Sequence, residues 1–107
     1  MSLDVYLTDA EGQEVFSANI THNLGAMARE AGIYECLWRP DEHGITKAAQ
    51  IIEPLAAGVA KLATEKARFD ALNAPNGWGL WENFLPWCAK YLQACRDHPD
   101  ADVQVSR

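Results

Sequence analysis

The chain has 107 residues, 49% of them apolar, the length of one ordinary domain that can bury about 65% of the surface its unfolded chain exposes. Nine Lys and Arg against 15 Asp and Glu leave a formal charge of −6, a sign that disfavours direct binding to nucleic acid or to an anionic membrane. No apolar run approaches the ~20 residues of a membrane span, and the opening MSLDVYLTDAEG lacks the basic and apolar regions of an export signal, so the expectation is a soluble cytoplasmic protein.

Acidic charge of this size usually serves solubility, although it can also imitate a nucleic-acid backbone. The three cysteines, Cys36, Cys88 and Cys95, show no CxxC spacing. Cys88 and Cys95 sit two helical turns apart, about 10.5 Å, beyond disulfide reach. All three read as reduced core thiols.

Residues 2–8 alternate Leu3, Val5 and Leu7 with Asp4, Tyr6 and Thr8, the period-two pattern of a half-buried strand. A turn at Asp9 to Gly12 and a second strand over 14–18 complete a predicted hairpin. At Asn19 the period changes to about 3.6. Ile20, Leu24, Met27, Ala28 and Ala31 form one apolar stripe, which predicts a helix from about residue 20 to 31. Asn19 or Thr21 can cap its first turn, and Gly32 suits its left-handed close.

Ile33 to Trp38 reads as a helical turn ended by Arg39-Pro40, and a loop containing Asp41 to Gly44 follows. Ile45, Ala48, Ile52, Leu55, Val59 and Leu62 keep one phase across Pro54, which predicts a single bent helix. A short helix over 64–72 with Phe69 and Leu72 as anchors precedes the loop NAPNGWG at 73–79. The last predicted helix, about 80–97, places Trp81, Phe84, Leu85, Cys88, Tyr91, Leu92 and Cys95 at helical spacing. Ala101, Val103 and Val105 then alternate as a third strand. The expected fold is a single α+β domain, 1–107: a small antiparallel three-stranded sheet, the hairpin plus the C-terminal strand, covered on one face by two long and two short helices. An exposed sheet edge could add strands by homo-oligomerisation.

Three groups of residues could carry chemistry. Asn19, Thr21, His22 and Asn23 stand at the strand-to-helix corner, where helix N–H groups could meet a nucleotide phosphate or a carbonyl. The same residues could equally serve only to satisfy the corner. Arg39 beside Trp38 could stack on a base or clamp an anion, or simply lie over the indole; His43 has carboxylate neighbours but no nucleophile at a telling spacing. Trp78, between two glycines, suits a lid or a contact anchor, or a plug packing the loop onto the sheet.

No catalytic, phosphate-binding, dinucleotide-binding or zinc-binding signature is present, and neither a cofactor nor a metal is expected. The reading leans away from an enzyme.

The segments SLDVYLT, NITHNLGAMAREAGIY, LWRP, NGWG and YLQAC together resemble a family of small uncharacterised proteins encoded by bacteriophages and prophages. The resemblance spans nearly the whole chain and is specific at NITHN, LWRP and NGWG. Longer prophage proteins of similar layout carry NITYN, with Tyr at the place of His22, which speaks against His22 as an indispensable base. The resemblance implies a phage setting, in the host cytoplasm, and no reaction.

The leading expectation is therefore a non-catalytic accessory protein that counters host defence by binding a small ligand such as a nucleotide at the NITHN corner, bordered by Arg39, His43 and Trp78. The alternative is an acidic inhibitor of a host protein anchored by Trp78. A small hydrolase or transferase using His22 or His43 ranks below both, and a virion or assembly component is disfavoured by the acidic composition.

Overall fold

The computed structural model describes residues 2–75, 77 and 79–107. Leu3, Val5 and Leu7 on β1 (Ser2–Thr8) have no solvent exposure, while the intervening Asp4 and Tyr6 stay half-exposed on the other face. β1 is central: the sheet order is β2-β1-β3, both pairings antiparallel. On β2 (Glu14–Thr21) the same core face carries Phe16, Ala18 and Ile20, opposite Leu7, Val5 and Leu3. On β3 (Asp102–Ser106) it carries Val103 and Val105. The predicted hairpin with an added C-terminal strand is thus the observed sheet.

The strand-to-helix corner lies later than the periodicity suggested. β2 continues to Thr21, a 3-10 turn spans His22–Leu24, and α1 covers only Gly25–Ala31. Ile20 fits both a period of two with Phe16 and Ala18 and a period of 3.6 with Leu24. β-branched Ile20 and Thr21 favour the strand, and pairing with Leu3 and Ser2 decides it. Gly32 closes α1 with φ 78° as expected.

α2 (Tyr34–Trp38) is the predicted helical turn, and the following loop contains a 3-10 turn, Pro40–His43. α3 (Ala49–Thr64) is one helix through Pro54. Its first N–H groups lack a side-chain cap; Ala48 and Ala49 instead donate to the carbonyls of Ala101 and Pro99, 2.9 Å each. This ties the start of α3 to the approach of β3. Ala48, Ile51, Leu55, Gly58 and Leu62 face the core, with Ile52 and Val59 at its margin and Ile45 ahead of the helix, so the buried seam is rotated from the predicted one.

α4 (Lys66–Asp70) buries Phe69, and α5 (Trp81–Asp97) buries Phe84, Cys88, Tyr91, Leu92 and Cys95 as its spacing required. Among the described residues the two long helices α3 and α5 and the short α1, α2 and α4 pack on the sheet, the expected α+β arrangement. Among the described residues no helix is long and apolar enough to cross a membrane.

Candidate functional site

The antiparallel register places Asn19 opposite Asp4 and Thr21 opposite Ser2. Asn19 Nδ2 donates to Asp4 Oδ1 at 2.7 Å and Ser2 Oγ at 2.9 Å, so its amide is used across the sheet and not as a helix cap. Thr21 is the cap: its Oγ1 accepts the Asn23 N–H at 3.2 Å from an extended backbone.

His22 faces away from this polar strip. Its Nε2 lies 2.7 Å from the Ser2 carbonyl and its Nδ1 lies 3.1 Å from Trp38 Nε1. A carbonyl only accepts and an indole N–H only donates, so the ring is the neutral Nε2–H tautomer with both nitrogens engaged. Such a ring positions Trp38 against β1. It has no nitrogen left for a substrate proton or a metal.

The corner borders a cleft of about 550 Å³. Asn19, Thr21 and Asn23 line it from the corner, Ser2 from β1, and Leu80, Asn83 and Trp87 from the first turns of α5. Trp87 Nε1 donates to the Asn19 carbonyl at 3.0 Å, which locks α5 against the end of β2. The α5 start is held in turn by Asn73, whose Oδ1 accepts the Trp81 N–H at 2.7 Å. Gly79, at φ 120°, packs its backbone onto Asn23; a Cβ there would stand 3.0 Å from Asn23 Cβ. None of the described residues lining the cleft is ionisable. The surface it offers is amide, hydroxyl, indole and aliphatic.

Arg39 and His43 are elsewhere. Arg39 follows α2, where Nη1 pairs with Glu42 Oε2 at 3.1 Å; contact with Tyr34, and then Glu42, raises the pKa of its guanidinium. His43 is exposed at the end of the 3-10 turn and does not border the cleft. Beside them, Arg107 clamps Asp41 and the Trp38 carbonyl, lowering the Asp41 pKa. Trp78 lies outside the described residues, although Gly77 and Gly79 on either side line the cleft. The corner residues Asn19, Thr21 and Asn23 therefore share one cavity, and His22, Arg39 and His43 do not join them there.

The expected site did not include Ser2, Asn83 or Trp87. The strand register carries Ser2 in, and the four-residue spacing of Asn83 and Trp87 on one helix carries the others. Among the described residues no cluster of His, Cys, Asp and Glu could hold a metal ion. No protein-family model, curated protein or solved structure matches the chain.

Proposed function

We propose that the protein is a non-catalytic binding protein whose cleft at the β2–α1 corner holds a small, uncharged heterocyclic ligand of the nucleoside type. The observation that carries this reading is the lining: amide and hydroxyl groups able to read a base edge, beside the Trp87 indole and the Leu24 and Leu80 side chains, with no cationic side chain among the described lining residues to receive a phosphate. A net charge of −6 works in the same direction, against an anionic ligand. The nucleotide expectation thereby narrows to its nucleoside part. A phage or prophage setting, with interference in host defence as the role, is proposed on the NITHN, LWRP and NGWG resemblance alone.

A thermal-shift series with nucleosides, free bases and the matching nucleotides tests the reading. At ten times Kd, linkage supplies about 1.4 kcal/mol, a rise of roughly 6–11 °C in Tm for a domain of this size. The expected pattern is a shift with a nucleoside, a smaller one with its phosphate, and loss of both in Asn83→Leu. Flat curves across all three classes would overturn it.

A further inference from the structure

The two outer strands of the sheet are finished differently. On β3 the outward N–H of Val103 donates to the Thr46 carbonyl at 2.9 Å, and Lys47 bridges to Asp102, so the segment before α3 covers the start of that edge. On β2 the pairing with β1 fixes which groups point out. Because the Asn19 carbonyl accepts from Trp87, outside the sheet, Asn19 is an outward-facing residue, and antiparallel alternation makes Ser17 the next. Among the described residues, the N–H and C=O of Ser17 and the N–H of Asn19 have no backbone partner.

α5 runs beside this edge and leaves a depression at each end of it. One is the cleft already described; the other, of about 310 Å³, lies between Val15 and Phe16 on the strand and Lys90, Ala94 and Asp97 on the helix.

We propose that the β2 edge accepts an extended segment of another protein as a fourth strand, and that this segment alternates basic and apolar residues. The residue exchanging both hydrogen bonds with Ser17 projects over the open face of the sheet. Asp4 and Glu14 lie on that face, and neither β1 nor β2 contains a Lys or Arg, so cationic side chains complement it. Its two neighbours project to the opposite side, toward the depressions beside α5, where Ile20 and Leu80 at one end and Phe16 and Ala94 at the other receive apolar side chains. The charge of −6 draws in such a segment and repels a second copy, whose own β2 brings Glu14 and no cation. This inference uses the strand edge and does not depend on the ligand proposed for the cleft.

The experiment is a titration of the ¹⁵N-labelled full chain with the peptide Lys-Val-Lys-Val-Lys-Val-Lys, capped at both ends, reading amide shifts and hydrogen exchange. The expected result is exchange slowed about tenfold or more at Ser17 and Asn19, affinity about tenfold lower for the Glu-Val counterpart, and no binding by a peptide N-methylated at alternate residues. Ser17→Pro, which removes one edge N–H without touching the β1 ladder, abolishes the effect; should that variant not fold, the N-methylated peptide supplies the same contrast on the unaltered chain. Unchanged amides at Ser17 and Asn19, or equal binding by the N-methylated peptide, would overturn the proposal. So would protection of these amides that grows with protein concentration alone, since a second copy would then hold the edge.

Discussion

The indole of Trp38 donates to Nδ1 of His22, and the far nitrogen of the same ring reaches the Ser2 carbonyl, so one imidazole joins α2 to the first residue of β1. Trp38 is 2% exposed and stacks on Tyr34, whose ring carries the Arg29 guanidinium 3.9 Å from its centroid. A side chain that resembles a catalytic base by its place in the NITHN motif is, by its partners, a structural bridge.

His22→Ala leaves the Trp38 N–H and the Ser2 carbonyl without their partner. An orphaned polar group costs about 1–3 kcal/mol, with the buried indole taking the larger share. The expected loss in urea unfolding is about 2–4 kcal/mol for the pair. His22→Asn keeps an acceptor near the Nδ1 position but not the distal donor, and should lose about half as much. Equal losses for both variants would mean that the Trp38 contact contributes nothing.

The strands and α5 were legible because their apolar residues keep one period each, as Leu3, Val5 and Leu7 do, or Phe84, Cys88, Tyr91 and Cys95. The corner was less so, since Ile20 satisfies two periods and only its partner Leu3, far off in sequence, decides between them. The phase of α3 was hidden by Gly58, which lines the core without an apolar side chain to announce it. For the cleft, the corner half was visible in NITHN. The other half was not, because Asn83 and Trp87 arrive through the docking of α5, whose buried face packs on the core and whose Trp87 bonds a backbone carbonyl that no pattern of residue types encodes.

Gly58 yields a second prediction. A Cβ built there falls 2.2 Å from Ile33 Cγ2, so α3 and the segment after α1 approach as closely as they do only because that hydrogen is small. Alanine gains about 1 kcal/mol of helix propensity over glycine but overpacks the core at a cost of about 1–3 kcal/mol or more. At 2.2 Å the clash wins. Gly58→Ala should lower the urea midpoint, and it should cost less in an Ile33→Ala background, where the clashing methyl is gone, than in the parent chain; a stabilised Gly58→Ala would show that the two elements can separate freely.

Tyr91 supplies a third. Its ring stacks on Phe16 at 5.8 Å, yet its hydroxyl is buried with no hydrogen-bond partner among the described residues. Removing an unpaired buried hydroxyl refunds its desolvation, so Tyr91→Phe should leave stability unchanged or raise it by about 1 kcal/mol. A loss above about 1 kcal/mol would reveal a buried water bonded to the hydroxyl.

The thiols give the last prediction, in which the sign of the pH dependence follows from burial. Desolvation, with the neighbouring Cys95 and Glu35 adding to it, pushes Cys36 from 9.0 up to about 12; desolvation does the same to Cys95 and raises Cys88 well above its ordinary value. A thiol is neutral when protonated, so the folded chain holds these protons more tightly than the unfolded chain, which releases them near its ordinary pKa. The stability they contribute is therefore complete below about pH 9 and is lost as the pH rises from there toward 12. Urea midpoints measured at successive pH values from 7 upward should be flat with respect to these groups and then fall above about pH 9. A triple Cys→Ala variant, less stable overall, should show a shallower fall over the same window. In parallel, a thiol reagent at pH 8 should leave folded protein unlabelled and react with all three cysteines once urea unfolds it, because the thiolate is the reacting species and all three side chains are buried. Rapid labelling of the native chain would place at least one of them in an opening segment, and a pH profile that stays flat through 11 would remove burial of the thiols as a source of alkaline instability.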